Sequence, residues 1–563
     1  PWNQRELLAG LQYVMATTDA GAHWTKLSPD LGYAKGVTPP PDSLRGRPGQ
    51  PVAGAIEALS ASPVARGEIW VGTNNGLIEL TRNEGKSWEY VSIPNLPDST
   101  RADISSIDAS HLDPAEAYVA VDLHRTGDYH PYLYRTRDYG RTWTLIVTGL
   151  PADQPSGSFA RVIRGDTEKA GLLFAGTESG MYVSFDDGDH WQSLQLNLPN
   201  TSCRDLVIKG NDLVVGTYGR GIWVLDDFSP LRQIASASEP VHLFAPGDAV
   251  RVRRNVGWDT PFPPEVPHAL NPPDGALIYY YLAAKPAGEI TLDVLDSTGA
   301  VVRHMSSAPI TPVAEAARPP EPNFWLATPE PLPTAVGTNR ANWDVRYDAP
   351  PALTHTFEIN ANPGLTPPSP VGPLALPGTY TVRLTVDGQR YTQTVKVRND
   401  PRSPASFADL RAQHALQMKV HRALQQTSDR YHEVTALRAA VAADTAAAPA
   451  EVATAAKALD STLAAVAGNP DSVRGFGRGA AQRPPTFASV DADLVRQING
   501  LETGDLAPTE AMQRDYDAAC TDLTTAVAAW AKVASLLTQH HLQAVATATA
   551  PPVPACSTVG GRR

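Results

Sequence analysis

Short apolar runs broken by Gly, Asn and Asp recur through the N-terminal part of the chain. Ile69-Trp-Val-Gly-Thr-Asn-Asn-Gly-Leu-Ile-Glu-Leu80 and Leu172-Leu-Phe-Ala-Gly-Thr-Glu-Ser-Gly-Met-Tyr-Val183 each read as strand, turn and strand. Leu213-Val-Val-Gly-Thr-Tyr-Gly-Arg-Gly-Ile-Trp-Val-Leu225 repeats the same hairpin. A second motif, [Ser/Thr]-x-[Asp/Asn]-x-Gly-x-x-Trp, occurs at Thr17–Trp24, Thr81–Trp88, Thr136–Trp143 and Ser184–Trp191. It returns every roughly 50–60 residues, about one four-stranded propeller blade per copy.

A turn accounts for each part of this motif. The acid or amide accepts a hydrogen bond from a backbone N–H two residues on, glycine supplies a positive φ, and tryptophan opens the next strand and packs between blades. Asp19, Gly21 and Trp24, then Asn83, Gly85 and Trp88, Asp138, Gly140 and Trp143, and Asp186, Gly188 and Trp191 are therefore read as structural. Asn83 supports this, because an amide keeps the turn bond but cannot act as a general acid or base.

The copies resemble the Asp-box (BNR) repeats of sialidases, sortilin-type receptors and xyloglucan-specific endoglucanases. The whole chain resembles large bacterial sortilin-like BNR-repeat proteins that carry an added C-terminal region and often the label glycosyl hydrolase. The resemblance implies a propeller and says little about activity, since the box decorates enzymes and receptors alike. In the hairpin ending at Leu225 the box gives way to Asp226-Asp-Phe-Ser-Pro, an atypical terminal blade. The chain opens inside a blade, at Leu7–Met15. About five blade equivalents span 1–231, and either preceding sequence or a second chain is expected to complete the ring, because an open arc leaves strand edges and core uncovered.

After Leu231 the pattern changes. Residues 232–275 are rich in Pro, Arg and Asn and are read as a connector. It includes Trp258 and the Pro261–Pro264 run. Residues 276–400 alternate apolar and polar positions, most clearly along Gly378–Val386 and Arg390–Val397, with Asp387-Gly388 as a two-residue hairpin turn. Gly337–Asp344 and Pro377–Val382 resemble the immunoglobulin-like sandwich of flagellar hook-capping proteins, which implies a spacer or interaction module. A proline-crowded insert at 308–335 interrupts it. From 401 to 550 the period is helical. Val420, Leu424, Val434 and Val441, then Val452, Leu459, Leu463 and Val466, then Tyr516, Leu523, Val527 and Trp530 form stripes of a small bundle. Ser403-Pro404 and Pro508 are expected to open helices, residues 468–486 to break them, and 551–563 to form a disordered tail. The expected fold is mainly β: a partial propeller, a sandwich, then a helical bundle.

Composition narrows the partners. The 563 residues carry a net charge of −12, which argues against a nucleic-acid binder. No apolar run reaches membrane-spanning length. Cys203, Cys520 and Cys556 are too few for a disulfide scaffold, and Cys520 with Cys556 either bridge the tail or remain isolated thiols. Architecture and resemblance point to the periplasm or exterior.

Candidate chemistry is sparse. His111, Asp122, His124, Asp128 and His130 fall in one long hairpin, with Asp122 and His124 alternating along a strand toward a face where binding sites are built. Their spacing matches no zinc or calcium motif, so a loop with a His–Asp contact is expected and no cofactor or metal. Arg220, on a tight glycine turn, either clamps a carboxylate ligand or pairs with a neighbouring Asp. Tyr129 and Tyr132 stack on sugar rings or cover the core. Neither a sialidase-type arginine set nor a pair of glycosidase carboxylates is assignable. The expected function is therefore an exported, non-catalytic propeller binding a protein, peptide or glycan. The alternative is a glycoside hydrolase of endoglucanase or sialidase type.

Overall fold

The computed structural model describes residues 2–563 except 92, 153–157, 235–238, 254–262, 264, 267, 268, 270, 311–324, 357–366, 446–448, 474–483 and 540–563. Trp258, most of the Pro261–Pro264 run, part of the insert, the Gly475–Gly479 segment, the tail and Cys556 lie outside the described residues. The chain divides into two compact units, 1–235 and 236–563.

The first unit is a row of blade-like antiparallel sheets, each following the chain. They comprise β1 Leu7–Gly10, β2 Val14–Thr17 and β3 Thr25–Lys26; β4 Ile56–Ala61, β5 Ile69–Thr73, β6 Ile78–Thr81 and β7 Glu89–Tyr90; β8 Asp103–Ala109, β9 Ala117–Asp122, β10 Tyr132–Thr136 and β11 Thr144–Leu145; β12 Ala160–Gly165, β13 Leu173–Thr177, β14 Met181–Ser184 and β15 Gln192–Ser193; and β16 Cys203–Lys209, β17 Asp212–Thr217 and β18 Ile222–Leu225. A short helix, α1 Ser229–Gln233, follows. Arg232 near its end grips buried Asp166 through two hydrogen bonds of 2.7 and 2.8 Å.

Side chains alternate between the two faces of each sheet, and the second, third and fourth sheets bury one face against the preceding sheet and the other against the following one. Ala58, Trp70, Ile78 and Leu80 of the second sheet pack on Ile104, Ile107 and Val119 of the third. Val162, Phe174, Met181 and Val183 of the fourth pack on Cys203, Leu206, Leu213 and Val215 of the fifth.

The boxes are turns with two hydroxyl- and acid-based clasps. Gly21 N–H donates to Thr17 Oγ1 and His23 N–H donates to Asp19 Oδ1, at 3.1 and 3.0 Å. The corresponding acid or amide bonds at Asn83, Asp138 and Asp186 measure 2.9, 2.8 and 2.9 Å. The acceptor therefore captures the N–H four residues on, not two. Both the residue before glycine and the glycine itself hold positive φ: 59° and 92° at Ala20-Gly21, and 60° and 76° at Tyr139-Gly140. That is the paired geometry of a type I′ hairpin turn. The indole N–H of Trp88 donates back to Leu27 O, and that of Trp191 to Ile146 O, each in the preceding blade.

In the second unit two sheets enclose one apolar core. β19 Val241–Leu243, β21 Ala276–Leu282 and β24 Gly337–Trp343 form one, and β20 Ala249–Arg251, β26 Gln389–Asn399, β25 Gly378–Val386, β22 Thr291–Leu295 and β23 Val301–Ser306 form the other. Two of these strands, β19 and β20, come from the stretch read as a connector. Its few apolar residues complete sheets whose remaining strands are distant in sequence, with β20 parallel to β26. Asp387-Gly388 turns β25 into β26 with φ of 47° and 80°.

Helices α2 Phe407–Thr445, α3 Ala450–Ala467, α4 Phe487–Leu501 and α5 Glu510–Gln539 share a core containing Val420, Leu424, Leu463, Phe487, Leu494 and Leu523. Val452 is exposed despite its place in the predicted stripe. The caps also differ from expectation. Ser406 and Asp409 bond reciprocally at the start of α2, rather than Ser403-Pro404. Thr509, one residue beyond Pro508, accepts from Met512 N–H at 3.2 Å. Cys520, buried in α5, is disulfide-bonded, whereas Cys203 is a free thiol that burial pushes up to about 11.

Asp491 on α4 is sealed in this core. Its Oδ2 accepts from Leu353 N–H at 3.1 Å, its Oδ1 has no partner, and burial raises its pKa from 3.8 to about 7. A raised acid pKa means the folded chain holds a proton that the unfolded chain releases. Stability is then fully present below about pH 4 and falls as pH rises toward about 7. Asp491→Asn is expected to flatten this slope and to raise the helical melting temperature near neutral pH. Melts followed by helical circular dichroism across that range check it.

Candidate functional site

The four complete inner strands share one irregularity. A β-bulge interrupts the ladder between Ile56 and Ala58, Ile104 and Ser106, Ala160 and Val162, and Cys203 and Asp205. The extra residue of a bulge makes no regular ladder pair, and its side chain is re-aimed. Those residues are Glu57, Ser105, Arg161 and Arg204, one per blade at the same end of each strand. The turns that carry Asn74, His124, Ser179 and Arg220 close the second and third strands at that end. Charge and polarity therefore gather where the inner strands begin, at the end opposite the boxes.

Asp103 and Asp122 stand directly opposite each other across β8 and β9, so both carboxyls share a face, with Cα atoms roughly 5 Å apart. Burial, then the charges of Glu57 and Asp122, raises Asp103 from 3.8 to about 6 against the pull of Arg125 and Arg161. Its Oδ1 is buried without a partner. Asp122 is fully engaged. Oδ1 accepts from the His124 backbone at 2.8 Å and meets its Nδ1 at 2.7 Å, while Oδ2 accepts from Arg161 Nη1 at 2.6 Å.

Arg161 continues the chain of contacts into the next blade. Its Nε and Nη2 donate to Glu178 Oε2 at 3.1 and 3.0 Å, and Ser202 Oγ donates to the same oxygen at 2.7 Å. Ser105 Oγ donates to the Arg161 carbonyl at 2.9 Å. The His124 ring stacks on Phe159 at 4.8 Å, and the Arg161 guanidinium lies over the same ring. Arg204 lies 4.8 Å over the exposed Tyr218 ring.

The hairpin residues do not converge on one point. Asp128 forms a separate turn: Oδ1 meets the His130 backbone and Nδ1 at 3.1 and 2.7 Å, and Oδ2 accepts from Tyr132 at 2.8 Å. Partial burial pushes Asp128 up, but these hydrogen bonds hold it below the usual carboxylate range. His111 follows the far end of β8, beside Asp108, so it is separated from Asp122 by the length of the strand. Among the described residues no group of three or more His, Cys, Asp or Glu is placed to hold a metal ion. The Arg220 side chain is exposed between Gly219 and Gly221. Its guanidinium makes no hydrogen bond or ion pair among the described residues, so of the two alternatives the pairing with a neighbouring Asp is not found. Asp103, Arg161, Arg204 and Glu178 escaped the sequence reading. Arg161 and Arg204, like Glu57 and Ser105, directly follow the first buried residue of an inner strand, a recurrence readable in the repeat, whereas Asp103 and Glu178 carry no such signal.

No helix among the described residues is long and apolar enough to cross a membrane. No protein-family model matches the chain, and no curated protein matches it. Among solved structures it is similar to the GH74 xyloglucanase from Xanthomonas campestris, with 21% identity, TM-score 0.30, and coverage of 40% of this chain and 35% of that one. It is also similar to YCF48 from Cyanidioschyzon merolae, with 17% identity, TM-score 0.24, and coverage of 31% and 54%. A third likeness is to the Cps50 (Swd1) β-propeller domain of Myceliophteria thermophila, with 15% identity, TM-score 0.28, and coverage of 39% and 61%. The chain thus spans less than two thirds of the length of each, and overlaps of this size add nothing to what its own strand topology displays.

Proposed function

We propose that the blades of the first unit form a non-catalytic, exported binding platform for a protein, peptide or glycan. The second unit, read as an immunoglobulin-like sandwich with a helical bundle, serves assembly. The observation that carries this reading is the row of bulge residues with Asp103, Asp122 and Glu178 beside it. It is a mixed-charge, partly aromatic surface whose Asp122 and Arg161 are held in place by neighbours. Groups held in this way orient a surface. Asp128, His130 and Arg220 belong to its rim. Arg204→Ala is expected to weaken a ligand found on a peptide and glycan array by about tenfold, or about 1.4 kcal/mol, with the melting temperature unchanged. Undiminished binding by this variant counts against the placement.

One observation favours a second reading, a glycoside hydrolase. Asp103 is held protonated up to about pH 6 beside the arginine-paired Asp122, and glycosidases divide acid and base or nucleophile roles between two carboxyls. Under this reading the chain turns over a β-glucan or sialoside, its rate falls as pH rises through about 6, and Asp103→Asn abolishes it. Absence of turnover across such substrates leaves the binding reading in place.

A further inference from the structure

The row of bulge residues is unevenly charged. In the second blade Glu57 is exposed. It accepts from Asn74 Nδ2 at 3.4 Å and forms no ion pair among the described residues. Asp103 of the third blade lies close enough for the Glu57 charge to help push its carboxyl up, and its buried Oδ1 lacks a donor. The middle of the row is balanced. Asp122 and Glu178 share Arg161 at 2.6 and 3.0 Å, and Arg125, in the turn after Asp122, adds a second cation.

The fifth blade carries the opposite surplus. Arg204 lies over Tyr218, and Arg220 follows in the same turn, all three exposed. That turn is firmly held. Thr217 Oγ1 donates to the Gly221 carbonyl at 2.6 Å, Trp223 Nε1 to the Arg220 carbonyl at 3.0 Å, and Tyr218 N–H to the Ser202 carbonyl at 2.9 Å. The nearby carboxylates are taken. Glu178, bonded by Ser202, goes to Arg161, and Asp205 accepts from Arg164 Nη2 at 3.0 Å and from Leu206 N–H at 2.8 Å. Neither Arg204 nor Arg220 has an acidic partner among the described residues. A guanidinium with free N–H groups, steadied on a ring, suits a carboxylate.

The two surpluses cannot neutralise each other. Stacked sheets lie about 10 Å apart, so three blade steps exceed both contact distance and the screening length of physiological salt, about 8 Å. An extended chain gains about 3.3 Å per residue, so roughly ten residues reach from one end to the other.

We propose that this row reads charge order: an extended protein segment lies along it with a basic side chain at Glu57 and Asp103 and an acidic one at Arg204 and Arg220. The inference rests on the binding reading above and adds the chemistry of the partner. A segment of a single sign is attracted at one end and repelled at the other, so the row selects as well as binds.

Fluorescence anisotropy of the full chain with three labelled synthetic peptides of equal length tests this. One joins a lysine block to a glutamate block through a glycine-serine spacer; the others carry lysine, or glutamate, in both blocks. The mixed peptide is expected to bind about tenfold more tightly than either other, with the difference shrinking as salt rises. Glu57→Lys is expected to move the preference toward the glutamate peptide. Arg204→Glu with Arg220→Glu is expected to move it toward the lysine peptide. Combining all three substitutions reverses the order along the row and is expected to restore preference for the mixed peptide. All three side chains are exposed, so wild-type melting accompanies each variant. Equal binding of the three peptides by wild type, binding of none, or a combined variant that does not regain the mixed preference overturns the proposal. A neutral glycan or peptide that binds on the array and weakens with Arg204→Ala then keeps the platform and removes only its charge order, whereas an empty array removes both.

Discussion

Trp70→Ala is expected to cost the first unit about 3–5 kcal/mol, the range for deleting a large aromatic from a packed core. Trp70 has no exposed surface and meets Trp143 edge-on at 6.3 Å. Its indole N–H donates to Glu68 Oε1 at 3.0 Å. Burial already raises the Glu68 pKa, and the Trp70 hydrogen bond opposes that shift. Removing the indole therefore opens a cavity and strips a buried carboxyl of its donor, two costs that add in the same direction. Trp24→Ala, at the equivalent of the box tryptophans but half in water, is expected to change stability by less than about 1 kcal/mol. Urea unfolding of the two variants, followed by tryptophan fluorescence, makes the comparison. Equal losses would contradict the burial difference.

Glu502→Ala is expected to be comparably damaging in the second unit. Glu502 Oε2 bonds Arg253 Nη1 at 2.6 Å and Arg346 Nη1 at 2.9 Å, and Gln417 Nε2 donates to its other oxygen at 2.6 Å. Asp505 binds Arg251 and Arg253 at 2.7 and 2.9 Å. Three guanidinium groups thus face two carboxylates, and Arg251 Nε and Arg253 Nη2 already lack acceptors. Burial pushes Glu502 up, but the arginine charges outweigh it and hold the carboxyl below its ordinary value. Breaking a buried pair from one side typically costs about 3–5 kcal/mol, because the remaining charge stays desolvated. Replacing Arg346 with methionine in the same chain removes one stranded cation, so the double variant is expected to recover part of the loss. Urea melts followed by helical circular dichroism check the order: wild type, double variant, single variant. A single variant as stable as wild type would show that the cluster is solvated.

How much of this was legible in the sequence depends on range. The hairpins and boxes were readable because a turn is a local matter: Thr81, Asn83 and Gly85 satisfy one another within five positions. The helical stripes were readable for the same reason, although Val452 is half-exposed. The connector was misread because Val241–Leu243 and Ala249–Arg251 gain their pairing from strands far along the chain, and a lone short run shows no period. The Arg253–Glu502 contact joins residues about 250 positions apart, beyond any pattern. The candidate site was only half visible. Asp122 and His124 stood out as a local acid–imidazole pair, but Asp103 acquires its character from burial and from facing Asp122, and Arg161 from a register shift that only a formed sheet possesses.

That register shift has a consequence for diversification. A residue in an ordinary strand position answers to two neighbours across the sheet, so changing it disturbs the core. Of the bulged positions, 57 and 204 are exposed and answer mainly to solvent, whereas Arg161 is tied to Asp122 and Glu178 and Ser105 to backbone carbonyls. A lineage, or an engineer, can therefore rewrite the second and fifth blades at this face while leaving the scaffold's melting behaviour nearly constant, whereas the fourth blade is fixed by its own ion pairs.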